Sequence, residues 1–314
     1  FTNNDSAYET AIEFKKNGVT PVVLDSRSNP VSEIINEAKN LDIEIKFSHV
    51  VVAANGYKKV KSAQIAKISE DKKNLININN VVCDCICVSG FWTPTIHLAS
   101  QSGNKTKYNE NIDAFVPNKS KQAETTLGSA NGIFTLEETL KTSFETANEL
   151  SKKITNKENK ISIPQVSEKK SSSHDKFWCV PLPSGKSYKR FLDFQNDVTV
   201  SDVELALREG YRSIEHVKRY TTLGMATDQG KTSNLNGLQL VSEIENKIVP
   251  AVGHTTFRPP YTPVTIGAIV GREIGKHSKP TRKSPMHSWH KKNNAIFVDA
   301  GVWLRPRYYK RGEE

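Results

Sequence analysis

Near its start the chain changes hydrophobic period twice. Ala7, Ala11, Ile12 and Phe14 recur at helical spacing behind Asp5 and Ser6, either of which can cap a helix, and Gly18 marks the end. VTPVVLD then forms a β-branched run of buried-strand type that ends at Asp25. Asn29-Pro30 turns the chain, and VSEIINEAKNL has the pattern of a second amphipathic helix. IEIKFSHVVVAANGYKKVKSAQIAKIS reads as strands with a hairpin signal at Asn55-Gly56, and NLININNVVCDCICVSG as a further strand or strand pair. Residues 100–125 are polar and irregular. LGSANG is a Gly-rich turn into a helix, with Thr135 and Glu138 as a capping box and Leu136, Leu140, Phe144, Ala147 and Leu150 as its apolar stripe.

Residues 151–176 are charged and Ser-rich, which is a linker composition, so a boundary is expected there. A helical unit follows, with Ser201 and Glu204 as a second capping box, an interruption at Gly210, and a helix SIEHVKRYTTLG ended by Gly224. From about residue 250 Pro, Thr and β-formers dominate, as in the start of a new domain. The expected layout is a nucleotide-binding α/β domain over 1–150, a linker over 151–185, a small helical domain over 186–245 and an incomplete domain over 246–314.

Composition narrows the class. With 36% hydrophobic and 25% charged residues the chain fits a globular protein, and no apolar run approaches the ~20 residues of a membrane span. The net charge is +10, and residues 271–314 hold eleven Lys or Arg against four acids. Those cations are scattered without a recognition motif, so no nucleic acid partner is expected. Cys83, Cys85 and Cys87 alternate, which on a strand places all three on one face, poorly spaced for a disulfide or zinc. They read as small buried apolar residues of a reduced, cytoplasmic protein. The chain has no initiator Met and ends abruptly at RPRYYKRGEE, so it reads as an internal piece of a longer polypeptide.

A strand end, a tight turn, a helix and a strand ending in an acid make up a βαβ dinucleotide unit. Asp25 lies 20 residues after Asp5, the distance at which an acid meets the adenosine ribose, and Arg27 follows it. The turn itself, Thr2-Asn3-Asn4-Asp5-Ser6, has no glycine. Its helix N-terminus offers N–H groups and a positive dipole end to pyrophosphate, and Asn tolerates left-handed backbone better than most residues. Two readings stay open at this point: a dinucleotide turn built without glycine, or a βαβ unit that has kept its fold and lost its ligand. CICVSGFWTPTIHL, with Ser89-Gly90, has the strand–Ser-Gly-x-x-x-Pro shape that closes the nucleotide domain of two-dinucleotide flavoproteins. LGSANG, with Gly128-Ser129, has the shape of their flavin contact, except that Ser129 stands where an Asp is usual. That exception counts against direct FAD binding by this half.

TNNDSAY, VSGFWTPTIHLASQSG, DFQNDVTVSDVELALREGYRSIEHVKRYTTLGMATDQGKTSN and TFRPPYTPVTIGAIVGRE closely resemble the α subunits of heterotetrameric sarcosine oxidases. The resemblance implies a Rossmann-like second half of a two-dinucleotide-binding, pyridine nucleotide-disulfide oxidoreductase-like domain over 1–150, holding NAD non-covalently. It implies a small helical domain at 186–245 and the start of a folate-binding, aminomethyltransferase-like α+β domain at 246–314. It further implies β, γ and δ partner subunits, amine oxidation at FAD on the β subunit, and FMN at the α/β interface. Oxygen would be reduced to hydrogen peroxide and the imine carbon passed to tetrahydrofolate, giving 5,10-methylenetetrahydrofolate. The helical unit is similar to small [2Fe-2S] domains of related dehydrogenase subunits, but Asp193-Phe194-Gln195 and Thr227-Asp228-Gln229 stand where their cysteines would be, so no cluster is expected. His216, Lys218, Arg219 and Lys231 either face a flavin phosphate or form a solvated helix face.

Three competing readings remain. A self-contained NAD-dependent flavoprotein reductase is disfavoured by the missing C-x-x-C pair and by Ser129; a scaffold module with a dead nucleotide site is favoured by the absent glycines. A subunit of a related N-methyl amine or opine dehydrogenase also fits, since sarcosine is implied by resemblance alone. His287 and His290, with Asp299 beyond, suggest aromatic packing in a turn before a metal site, and His97 a satisfied core histidine.

Overall fold

The computed structural model of the chain describes residues 1–156, 162–166, 174–272, 275 and 280–312. It is mixed α/β and divides into two compact units, Phe1–Tyr261 and Thr262–Glu314. The expected linker of 151–185 lies partly outside the described residues.

The first unit opens with Phe1–Thr2 in a parallel sheet. Helix α1 (Ser6–Lys16) leads to strand β1 (Val22–Asp25), helix α2 (Glu33–Asn40) and strand β2 (Glu44–Phe47). β1 and β2 pair in parallel from Val22 opposite Glu44 to Asp25 opposite Phe47. Thr2 bridges Asp25 on one side and Ser89 on the other, both parallel. Its N–H donates to the Leu24 carbonyl at 2.9 Å, and the Ser89 N–H donates to the Phe1 carbonyl at 2.9 Å. The order across the sheet is therefore β2, β1, Phe1–Thr2, Ser89, all parallel. Between β2 and Ser89 the chain forms an antiparallel meander, β3 (His49–Gly56), β4 (Val60–Ile68) and β5 (Leu75–Val82).

Apolar burial explains the layering. Tyr8, Ala11, Ile12, Val23, Ile35, Ala38 and Ile43 form one core, which puts both helices on one face of the sheet. Leu24, the alternate residue of β1, joins Ala63 and Ile65 of the meander on the other face. The hairpin expected at Asn55-Gly56 is present, and Gly56 has a φ of 152°; a Cβ there would collide with the Lys59 carbonyl. Cys83, Cys85 and Cys87 depart from expectation. β5 ends at Val82, so the three do not share a strand face; Cys83 is half-buried while Cys85 and Cys87 are exposed, their sulfurs 3.9 Å apart.

The polar stretch 100–125, read as irregular, begins at the end of helix α3 (His97–Gln101) and contains a hairpin of β6 (Thr106–Asn109) and β7 (Ala114–Pro117). The hairpin exists because Ala114, Phe115 and Val116 are all buried, a run too short to stand out in the sequence. Helix α4 (Leu136–Thr155) is capped by Thr135, whose side chain accepts the Glu138 N–H. Despite its apolar stripe the helix has no buried residue, and Leu136, Leu150 and Ile154 are exposed.

The helical part comprises the short hairpin β8 (Phe191–Asp193) and β9 (Val198–Thr199), then α5 (Val200–Arg208), α6 (Ile214–Thr221), α7 (Asn234–Glu245) and α8 (Val249–Val252). The capping box is Thr199 with Asp202, not Ser201 with Glu204: the helix must start at Val200 so that Val200, Val203 and Leu207 point inward. α6 ends at Thr221, with Thr222 in the left-handed region, before Gly224 is reached. The first compact unit runs on past residue 246 to Tyr261, because Val249 and Phe257 share a core with Leu223 and Val241, and with Ile96 and Phe115. Lys218 is buried and donates to the Thr256 carbonyl at 2.8 Å, so it neither lies on a solvated face nor is presented to a phosphate. Lys231 donates to the Tyr261 carbonyl at 2.7 Å and sits over its ring.

Asp193 is the polar hub of this part. Its carboxylate is 2% exposed and accepts the N–H groups of Gln195 (2.9 Å), Asn196 (3.2 Å) and Gly224 (2.9 Å) and the Ser233 hydroxyl (3.2 Å). It ties together the two loops at which the related clusters' cysteines would stand. His97 is buried, as expected of a core histidine, lies against Phe257 with ring centres 3.9 Å apart and approaches the Gln229 carbonyl through Nε2 at 3.2 Å, but its Nδ1 has no partner, so it is only half satisfied.

The second unit contains α9 (Ile266–Val270), β10 (Arg282–Lys283), α10 (His287–Lys292), β11 (Ala295–Ala300) and β12 (Trp303–Tyr309). β12 is central, antiparallel to β11 and parallel to β10. The His287 ring lies against Phe297 and His290 Nδ1 is 2.5 Å from the Tyr309 hydroxyl, which is the aromatic packing anticipated for this turn. Among the described residues no three His, Cys, Asp or Glu side chains gather as metal ligands would.

Two outcomes follow from these contacts. Asp193→Ala leaves several buried donors unpaired and should lower the unfolding free energy by about 3 kcal/mol or more, measured by denaturant titration; unchanged stability would show that the hub holds nothing. Burial, the largest influence, holds the His97 imidazole below its ordinary 6.5. Below pH 6.5 the unfolded chain therefore binds a proton that the folded chain refuses. This stabilising contribution is complete above pH 6.5 and is lost as pH falls through the window down to the folded-state value. His97→Phe should flatten that acid limb, and an identical limb in the variant would exclude the assignment.

Candidate functional site

The turn Thr2–Ser6 sits where the first strand ends and α1 begins, at the carboxyl edge of the sheet. Four of its five residues, Thr2, Asn3, Asn4 and Asp5, are buried. Thr2 Oγ1 donates to the Asn4 carbonyl at 2.9 Å and accepts the Asn4 N–H at 3.2 Å, which closes the turn without glycine. Aligned on the G-x-G-x-x-G/A pattern, the three small positions fall on Thr2, Asn4 and Ala7, so only the last keeps a permitted residue. Asn4 takes over work that a bare backbone does elsewhere. Its Oδ1 accepts the Ser6 N–H at 2.9 Å, and its Nδ2 donates to the Gly90 carbonyl at 2.6 Å and to Asn3 Oδ1 at 2.8 Å. The Ser6 and Ser89 hydroxyls meet at 2.5 Å.

Behind the turn lies a buried charge cluster. Arg27 bonds Asp5 through Nη1 at 2.9 Å and Asp25 through Nη2 at 2.7 Å, with Nε 3.0 Å from Asp25 Oδ1. Asp25 also accepts the Arg27 N–H at 2.9 Å and the Tyr8 hydroxyl at 2.7 Å. Burial first, and then the carboxylate of Asp25, push the Tyr8 phenol far above its usual range, so it stays a donor. Asp25 is 0% exposed. The carboxylate expected to read a ribose thus has both oxygens engaged and faces inward.

A groove of about 890 Å³ opens beside this cluster. Ser26, Arg27, Lys67 and Lys72 line it, and so do His174 and Asp175, which belong to the stretch read as linker. The Asp175 N–H donates to the Asn3 carbonyl at 2.9 Å, and Asn3 Nδ2 donates back to the Asp175 carbonyl at 3.0 Å. The Ser26 hydroxyl donates to Asp175 Oδ2 at 3.1 Å, and Lys72 contacts Oδ1. His174 stacks on Phe91 with ring centres 3.6 Å apart and pairs with Asp113 at 3.0 Å. Sequence reasoning missed this strap, because its neighbours are polar and its partners lie far away along the chain.

The structure therefore gathers Thr2, Asn3, Asn4, Asp5, Ser6, Asp25, Arg27, Ser89 and Gly90 at one end of the sheet. Gly128 and Ser129 form a 3₁₀ turn (Gly128–Asn131) whose carbonyls accept the Ile133 and Gly132 N–H groups. Arg27→Ala would leave two carboxylates buried without their cation. It should cost roughly 3–5 kcal/mol of stability, seen as a lowered denaturation midpoint, whereas a change under about 1 kcal/mol would mean that the cluster is dispensable.

Residues 187–272 match the family described as the sarcosine oxidase A3 domain. Over its full length the chain is 34% identical to the sarcosine oxidase subunit alpha of Rhizobium meliloti and 33% identical to that of Corynebacterium sp. strain P-1. It covers 30% and 33% of those proteins, about a third of their length. A solved structure, L-proline dehydrogenase from P. horikoshii, aligns with 86% of this chain and 53% of its own at 17% identity and a TM-score of 0.49. The chain is thus a homologue of the sarcosine oxidase α subunits, corresponding to about a third of their length and containing the A3 domain of that family.

Proposed function

We propose that the chain is the part of a sarcosine oxidase α subunit that holds NAD non-covalently at the carboxyl edge of its sheet. The observation that carries this reading is the position of the Thr2–Ser6 turn. It lies between β1 and the Ser89 strand, where the direction of winding reverses, and such a switch point opens a crevice for ligand. In this reading the turn and the α1 N-terminus meet the pyrophosphate, and Ser89 and Gly90 close its far side. Arg27 and Asp25 fix the turn, and the 890 Å³ groove takes the adenosine end. Bound NAD would supply a redox-capable nicotinamide. The chain's own residues bind, orient and shield it.

The rest of the reading rests on the homology. Sarcosine is oxidised at FAD on a β subunit, with FMN at the α/β interface, tetrahydrofolate in the domain begun by the second unit, and γ and δ subunits completing the complex. Oxygen is reduced to hydrogen peroxide. The exposed apolar stripe of α4 and an apolar cleft of about 1090 Å³ between α1 and the meander fit burial by the rest of such a subunit.

A second reading, a scaffold whose nucleotide site is dead, has one observation in its favour: Asn4 Oδ1 already accepts the Ser6 N–H that a phosphate would use. Nucleotide content separates the two. The full-length subunit, purified with its co-expressed partners and denatured, should release close to one NAD per α chain. Its absence would leave the scaffold reading. Sarcosine-dependent peroxide formation by the same preparation tests the substrate independently; a flavin-loaded complex that makes none would retire sarcosine and keep the subunit assignment.

A further inference from the structure

We propose that Asp175, and not Asp25, supplies the carboxylate that meets the ribose hydroxyls of the bound adenine dinucleotide and sets its preference for NAD over NADP. The inference rests on the nucleotide reading above and assigns the specificity element within it. Asp25 sits at the sequence position where such an acid belongs. Its oxygens, however, are taken by Tyr8 and Arg27, it has no exposed surface, and it does not line the groove. Asp175 does line the groove, and its side chain is 15% exposed. A carboxylate offers about four acceptor positions. The bonds from Ser26 and Lys72 orient Asp175 and leave acceptor capacity for a vicinal diol.

Position agrees with this role. Ser26 directly follows Asp25 at the end of β1, so Asp175 stands one residue beyond the usual acid, on the solvent side of it. It is fixed there by its backbone, which exchanges two hydrogen bonds with Asn3, and by the His174–Phe91 stack next to it. The side chain can therefore be changed without releasing the strap. Charge gives the specificity. A ribose 2′-phosphate placed here would face the Asp175 carboxylate, whereas free hydroxyls donate to it. Arg27, whose guanidinium is of the kind that pairs with phosphate, is bonded to Asp5 and Asp25, and Lys72 is bonded to Asp175 itself.

The test uses the full-length subunit with its co-purifying partners, stripped of nucleotide and titrated with NAD and with NADP. Asp175→Asn should weaken NAD binding about tenfold or more while NADP binding holds or improves, because Lys72 loses its acid. Asp25→Asn should lower the thermal midpoint and weaken both nucleotides together, with their ratio unchanged. An Asp175→Asn variant with the wild-type NAD:NADP ratio overturns the assignment, and one that binds NAD more tightly makes the strap a plug. A wild-type subunit that binds neither nucleotide ends the nucleotide reading and this assignment with it.

Discussion

One buried guanidinium organises the carboxyl edge of the parallel sheet. Arg27 joins Asp5 in the opening turn to Asp25 at the end of β1, and Tyr8 of α1 closes the cluster from below. Three elements of the βαβ unit thus meet in one cluster, two through the cation and α1 through the Asp25 carboxylate. Such a cluster is weak evidence for stability, since taking charges out of water is costly. What it provides is fixed geometry: a planar fork bonds two carboxylates in defined directions, and losing the fork strands both of them. The turn above can then dispense with glycine, because its shape is set by side chains. Thr2 and Asn4 bond back onto the turn, and Asn4 reaches the Gly90 carbonyl.

The fold around that cluster was legible where a pattern was local. Helices α1 and α2, strand β1 and the Asn55-Gly56 hairpin all follow from periodicity and turn chemistry. Misreadings arose where tertiary burial outweighed a local signal. Ser201 and Glu204 have the spacing of a capping box, but the inward face of α5 begins at Val200, so Thr199 and Asp202 form it instead. The cysteines alternate as a strand would, yet strand pairing stops at Val82. Lys218 lies on a helix with strong polar character, and its ammonium is nevertheless drawn inward to the Thr256 carbonyl.

The site shows a subtler division. Residue spacing located Asp25 at the correct place in the βαβ unit, because spacing is set by strand and helix length. It could not tell which way the carboxylate faces. That depends on Tyr8 and Arg27, one on a different element and the other two residues along, and both compete with any ligand for the same lone pairs. The same limit applies to Gly128 and Ser129. Gly128 has the residue type of such a turn and Ser129 lacks the usual acid, and both fold into a turn bonded to its own neighbours.

Long-range closure completes the site and explains why the strap escaped notice. Asn4 bonds Gly90 across 86 residues, and Asn3 bonds Asp175 across 172. Neither partner carries a hydrophobic period, and both use main-chain atoms that leave no mark on residue type. The βαβ unit can form early from local contacts, whereas the walls of the groove must wait for chain that folds through the meander, the β6–β7 hairpin and α4. The position of the strap is therefore coupled to the packing of the described elements that precede it, the β6–β7 hairpin and α4 among them. A substitution far from the turn can loosen the strap without touching the sheet that bears the turn.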